Sequence, residues 1–388
     1  MTVARFAAQH SEWRDPASVV AQWAEAGALD PALLEAHVSG PWWELLEAAG
    51  TTLLVTREYE HLVLALGAAG GLPRSSLLRL PHPSGIAVDR ARGEVHIAST
   101  RNPNAIYTLR PAAGLLQRRD LEQPHDPGRP LLPVAVRFLP GSTYLHDLAM
   151  LDGTLHATAT GSNVIIEQPL DGEARAVWWP ASIEGPAGPD FSLNHLQLNG
   201  IAAGPTLEAS FFTASAAAPG GPRPGDPAFP VDGRGVVFSG ASRAPALHGL
   251  TRPHSPRFIA GQLWVDNSGY GTVCAAYGAR AEPVARLPGW TRGLCEMGEY
   301  AIVGTSRVIP RFAAYAPGLD PAKCVCGLHA VEIATGRIAA SLIWPAGNQI
   351  FAIDALPAAL ADGLPFRAPR GAEPPSAAER TLFYAWRP

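Results

Sequence analysis

The densest run of chemically capable side chains is Gly249–Gly271, GLTRPHSPRFIAGQLWVDNSGYG. Arg252, His254, Ser255 and Arg257 stand at its polar entry, and Asp266, Asn267 and Ser268 at its polar exit. Guanidinium groups form bidentate pairs with carboxylate or phosphate. A neutral imidazole takes up a proton or ligates a metal. Amide and hydroxyl groups orient a ligand through hydrogen bonds. Ser255 beside His254 is also a conceivable nucleophile and base, but sequence neighbours seldom have the mutual geometry this needs.

Two apolar runs and the turn Ala260-Gly261 separate entry from exit, which predicts a hairpin. In an antiparallel pair the start of one strand and the end of the next share an edge. The hairpin therefore gathers its basic, imidazole and amide groups at one end.

The pattern recurs along the chain. First strands open near His82 and Ser84; at His146 and Asp147; at His195, Gln197 and Asn199; at Arg252, His254 and Ser255; at Arg292; and at Asn348 and Gln349. Second strands end near Asn102 and Asn104, Asn163, Asn267 and Ser268, and Ser306 and Arg307. The spacing of roughly 40–60 residues is that of propeller blades with loop insertions. At the C-terminus NQIFAIDALP supplies a first strand with little after it. TTLLVT, HLVLALG and SSLLRL near the N-terminus supply three strands with no first. Together they complete one blade, and joining the chain ends removes exposed sheet edges.

The expected architecture is an all-β, six-bladed β-propeller over residues 51–357, closed by N- and C-terminal strands in one blade. A short helical extension over residues 1–50 precedes it. Asp15-Pro16 and Asp30-Pro31 read as helix starts, and Pro41 opens WWELLEAAG, which stops at Gly50. A proline-rich tail over residues 358–388 follows, with TLFYAWRP able to dock as a last apolar segment. A β-sandwich with a helical cap is the alternative, and it leaves the recurring polar strand starts without a reason.

Composition narrows the function. The 39 glycines and 38 prolines, about a fifth of the chain, fit many short strands joined by turns. With 47% hydrophobic residues and a net charge of −4, the chain has material for a large core and no electrostatic footprint for nucleic acid. No apolar run reaches the ~18–20 residues of a membrane span, and the N-terminus lacks the apolar run of a secretion signal. A cytoplasmic protein is expected. The four cysteines point to no disulfide framework, and Cys324-x-Cys326 alone is a weak metal signal. No P-loop or dinucleotide fingerprint appears, so no nucleotide cofactor is expected.

Two chemistries remain for the gathered groups. His146, His195 and His254 could hold a divalent metal, zinc, iron, copper or manganese, with Asp147 ligating it or orienting a histidine. Calcium is less suited, because carboxylates are few. Arg252, Arg257, Arg292 and Arg307 could bind an anionic small molecule or peptide segment, or could pair with Asp147 and Asp266. A water-filled channel with satisfied polar walls is the bland alternative.

The segments His146–Ala149 (HDLA), Leu198–Ala202 (LNGIA), Pro253–Phe258 (PHSPRF), Leu263–Gly271 (LWVDNSGYG), Trp290–Leu294 (WTRGL) and Cys326–Gly336 (CGLHAVEIATG) give the chain a family resemblance. Over roughly Thr51 to Pro357 it resembles the bacterial propeller-like proteins designated DUF4915. Where that family carries a histidine before Leu-Asn-Gly, this chain has Gln197, with His195 two residues earlier on the same strand face. Arg252 replaces a usual apolar residue, which alters ligand choice. The resemblance implies the propeller and the place of the site and assigns no reaction.

Two functions follow as expectations. The first is an enzyme of hydrolase, lyase or isomerase type, with natural-product tailoring as one setting. In it His146, Asp147, His254 and Arg292 carry the reaction, as metal-assisted or histidine acid–base chemistry. Asn199, Arg252, Ser255, Arg257, Asn267, Ser268 and Arg307 bind substrate. The second is a non-catalytic propeller that binds a peptide or protein partner, using the insertion Ala218–Gly233 and the N-terminal helices as recognition surface.

Overall fold

Ala260 and Gly261 both adopt left-handed backbone, with φ of 47° and 77°, as do Asp152 and Gly153 at 47° and 70°. Two successive residues of this kind make the tight turn whose twist matches its flanking strands. Ile259 therefore pairs with Gln262, and Leu151 with Thr154. Hairpins of this sort build the molecule. The computed structural model describes residues 28–101, 104–117, 128–141, 143–169, 171–368 and 385–387.

Six antiparallel sheets of four or five strands form the blades. The first two strands of blade 1 are Ala352–Pro357 and Thr51–Arg57; of blade 2, Pro83–Asp89 and Glu94–Ser99; of blade 3, Leu145–Leu151 and Thr154–Ala159. Blade 4 begins with Leu198–Ala202 and Phe211–Ala214, blade 5 with Pro253–Ile259 and Gln262–Asn267, and blade 6 with Trp290–Met297 and Tyr300–Ser306. First strands of successive blades touch in an unbroken ring, and blade 6 returns to blade 1. Thr51 pairs with Pro357 and Thr56 with Ala352, so the two ends of the chain close the ring in one sheet, as expected.

The apolar core lies between the blades. Its largest cluster joins blades 1, 2 and 6, and Trp42 and Leu46 of the helix Trp42–Ala48 plug into it with 1% exposure each. Emptying so buried a tryptophan position costs about 3–5 kcal/mol.

The two ends depart from expectation. Asp30-Pro31 opens only a 3-10 turn, Pro31–Leu33, whose first amide pair is met by the Asp30 carboxylate accepting from Ala32 N at 3.0 Å. His37–Ser39 then pairs with Ser341–Ile343 as a fifth strand of blade 6. Phe366–Arg367 likewise pairs with Ser76 and Leu77 at the edge of blade 1, and Trp386–Arg387 pairs with Gly114 and Leu115. Bare sheet edges invite pairing, and the first two of these segments cover blade edges, while Trp386–Arg387 and Gly114–Leu115 form a separate two-stranded sheet. Blade 1 thus gains a strand beyond residue 357, and Trp386–Arg387 docks in line with the expectation for the last segment. The helix expected at Asp15-Pro16 and the linker over residues 369–384 lie outside the described residues.

Candidate active site

The backbone repeats a device at one mouth of the ring. The residue just before the first strand is left-handed in four blades: His82 (φ 45°), Tyr144 (51°), Gln197 (53°) and Arg252 (53°). Non-glycine residues adopt this conformation at a cost, and such positions gather where a site demands them. Three of the four, Tyr144, Gln197 and Arg252, line a cavity of about 90 Å³. From the second strands come 3-10 turns, Glu58–Glu60, Thr160–Ser162 and Ser268–Tyr270, each closed by a left-handed residue, His61, Asn163 or Gly271. Glu58 and Tyr59 of the first turn also face the cavity.

His146, His254 and Arg292 form its floor. The two imidazole rings stack, with centroids 5.7 Å apart and planes 22° from parallel. His146 Nδ1 lies 3.1 Å from the Asn199 carbonyl, which can only accept, so that nitrogen carries the proton. Its Nε2 then accepts from Arg292 Nη2 at 3.0 Å. His254 Nδ1 donates to the Arg252 carbonyl at 2.9 Å, with Ser268 Oγ at 3.1 Å. Ser268 spends its own proton on the Thr291 carbonyl at 2.6 Å. His254 Nε2 is left as the lone-pair nitrogen. Burial first, and Arg292 second, hold both histidines well below the usual imidazole range, so both are neutral at pH 7.

Among the described residues, no carboxylate pairs with the arginines of the cavity. Arg252 donates to Gln197 Oε1 at 2.6 Å and lies 4.3 Å from the Tyr315 ring centroid. Arg292 lies 3.4 Å from the Phe351 ring centroid. Burial lowers both guanidinium groups to about 10. Arg252 Nε and Gln349 Oε1 are buried with no hydrogen-bond partner among the described residues, so a donor and an acceptor stand ready for a ligand. Glu58 is committed elsewhere: it accepts from the Thr100 hydroxyl at 2.9 Å and pairs with Arg101 at 3.3 Å. Arg307 stands at the rim, with its Nη2 on the Pro345 carbonyl.

The other expected residues build the wall. Asp147 and Arg257 pair with each other at 2.9 and 3.1 Å. Asp147 also accepts from the Leu148 and Ile201 amides at 3.0 Å each, which ties blades 3, 4 and 5 together. Asn199 accepts from Thr213 and donates to the Pro253 carbonyl. Asn267 accepts from Thr251 N, and Ser255 from Gly293 N. Asn102 lies outside the described residues.

The three-histidine metal set is corrected. His195 is drawn away by Asp190, whose Oδ2 lies 2.9 Å from its Nε2, and His146 presents its Nε2 to a cation. Gln197, not His195, occupies the cavity. Among the described residues, the group of ligating atoms that does lie within 4.8 Å is Asp89, Glu94 and His96. Asp89 and Glu94 form the other end of blade 2, and they are engaged by Arg92 and Arg110.

Sequence reading missed Glu58, Tyr59, Tyr144, Trp290, Phe312, Tyr315 and Phe351. Glu58 follows the second strand of the closing blade, so the rule that found Ser268 reaches it once blade 1 is assembled. Phe312 and Tyr315 belong to an insertion in blade 6 and have no counterpart in the repeat.

Fold and site together define a six-bladed β-propeller with a basic, aromatic-roofed pocket at its channel mouth. The chain belongs to the family described as a domain of unknown function, DUF4915, which it matches over residues 40–362. No curated protein matches it. Among solved structures, one from a nidogen/laminin complex is 12% identical, over 79% of this chain and 98% of that one, with a TM-score of 0.50. A gluconolactonase from Xanthomonas campestris is 14% identical over 69% and 77%, with a TM-score of 0.42. A streptogramin B lyase is 12% identical over 74% of each chain, with a TM-score of 0.35. At such identities the likeness is one of fold. No helix among the described residues is long and apolar enough to cross a membrane.

Proposed function

We propose that the protein is an enzyme that binds an anionic small molecule, or the anionic end of a peptide segment, at the channel mouth and moves a proton with His254. The observation that carries this is the Arg292–His146–His254 floor. A neutral His254 presents Nε2 to the cavity, and a guanidinium is fixed beside it by a neighbouring ring. Arg252 and Arg292 hold the anion. Arg292 also opposes negative charge that develops when His254 takes a proton. Hydrolysis, elimination and isomerisation share that step, so the class is hydrolase, lyase or isomerase. His146 is a positioning residue. Cys274, Cys295, Cys324 and Cys326 are free and buried, which supports a reducing, cytoplasmic setting.

The test is turnover of a panel of carboxylic and phosphoric esters and hydroxy acids, followed by NMR. His254→Gln should lower the rate 10²–10⁴-fold, the range for loss of a general base. Turnover unchanged in that variant, or no turnover across the panel while the same anions bind, favours the binding module.

A further inference from the structure

A second cavity, of about 370 Å³, adjoins the first at Tyr315. Its walls come from the end of the insertion Ala218–Gly233 and from the blade 6 insertion, and Tyr315 is a wall of both cavities. Its character is opposite. Phe229, Val231, Pro227 and Pro317 make it apolar, and its charged lining side chains are two carboxylates, Asp226 and Asp232. The partners of these carboxylates are neutral. Asp226 accepts from Ala228 N at 2.9 Å, and Asp232 from the hydroxyls of Thr251 at 2.7 Å and Tyr270 at 3.0 Å. Thr251 is the neighbour of Arg252. A positively charged cavity and a negatively charged one therefore both border Tyr315.

We infer that the two cavities are subsites for one zwitterionic ligand, a short peptide whose carboxylate sits on Arg252 and Arg292 and whose ammonium sits by Asp226 and Asp232. This rests on the anion-binding reading above and gives its substrate class. Size agrees. The first cavity, of about 90 Å³, is the smaller and takes the carboxylate, and the second, of about 370 Å³, has room for the body of the ligand. Arg252 is 4.3 Å from the Tyr315 ring, and a cation on the far side would sit within about 6 Å of it. An extended tripeptide, whose two charges lie on the order of 10 Å apart, can reach past that ring from one cavity to the other. The carboxylate and ammonium of a single α-amino acid are too close together to occupy both.

The experiment is calorimetric titration of the full chain at pH 6.5 and low salt with triglycine and with N-acetyltriglycine, which lacks the ammonium. Wild type should bind triglycine at least fivefold more tightly. Asp226→Asn, an exposed position, should erase that preference and leave the affinity for N-acetyltriglycine unchanged. Arg292→Gln should weaken both at least tenfold. Equal binding of the two peptides by wild type, or a preference that survives Asp226→Asn, overturns the zwitterion inference and leaves the anion site standing, provided Arg292→Gln still weakens both. Absence of binding by either peptide overturns the inference. Binding of both that is indifferent to Arg292→Gln overturns the anion site as well.

Discussion

Arg292 is held between two rings: its Cζ lies 3.4 Å from the centroid of Phe351, and its Nη2 lies 3.0 Å from His146 Nε2. Neither partner is an anion. A guanidinium normally enters a protein interior with a carboxylate to meet it, as Arg257 does with Asp147. At Arg292 the protein offers only through-space attraction from carboxylates such as Glu58, and among the described residues Arg252 has no carboxylate beside it, so a ligand anion completes the compensation and the empty protein bears the cost of holding them.

That cost is measurable. The folded state lowers both arginines to about 10, so at neutral pH each charged group destabilises the empty fold relative to the unfolded chain. Replacing Arg252 by methionine keeps the stem against Tyr315 and removes the charge. Urea denaturation should show Arg252→Met more stable than wild type by about 1–3 kcal/mol in ligand-free buffer. A loss of stability would mean that an unrecognised partner already compensates the charge.

How much of this the sequence disclosed follows from what is local. Strand starts and two-residue turns are short-range patterns and stood where expected, whereas the closing blade, which pairs Thr51 with Pro357, is legible only by counting the strands left over at the two ends of the repeat. Asp147 and Arg257 are 110 residues apart and meet across three blades, so nothing local marks them as a pair. His195 shares a strand face with Gln197 in an ideal strand. The left-handed backbone at Gln197 (φ 53°) breaks that alternation and leaves His195 to Asp190. The roof of Phe312 and Tyr315 comes from an insertion, which a repeat-based reading passes over.

The repeat also isolates Asp266. The penultimate residue of the second strand is Thr56, Ala98, Thr158, Thr213, Asp266 or Thr305 in blades 1 to 6. Asp266 is fully buried, and among the described residues no charged group hydrogen-bonds it; the side chain within reach is the neutral Ser255 hydroxyl. Burial pushes its carboxyl well above the usual range, opposed by Ser255, Arg257 and Arg292. A carboxyl raised in this way contributes stability at low pH that is lost as pH rises through the folded value. Asp266→Thr should therefore stabilise the protein at pH 7.5, by about 1–3 kcal/mol, and much less at pH 4.5. An equal gain at both pH values, or a loss at pH 7.5, would contradict this.

Histidines push the other way. His329 is held between Thr305 and Ser341 at 3.0 and 2.8 Å, and burial lowers it to about 4. Its contribution is fully present above the unfolded value near 6.5 and is lost as pH falls towards 4, at most about 3 kcal/mol. The buried His146 and His254 act in the same direction. Urea midpoints should fall steadily between pH 7 and pH 4.5, with a shallower slope in His329→Gln. A slope unchanged by that substitution would remove His329 from the account.

The anion site is tested most directly by titrating inorganic phosphate into the wild-type protein and into Arg292→Gln, by calorimetry at low ionic strength. The predicted result is saturable binding at one site per chain, weakened at least tenfold by the substitution, because the charge is gone. Saturable binding of equal affinity in both proteins, or no binding in the wild type, would contradict the claim that Arg292 waits for an anion.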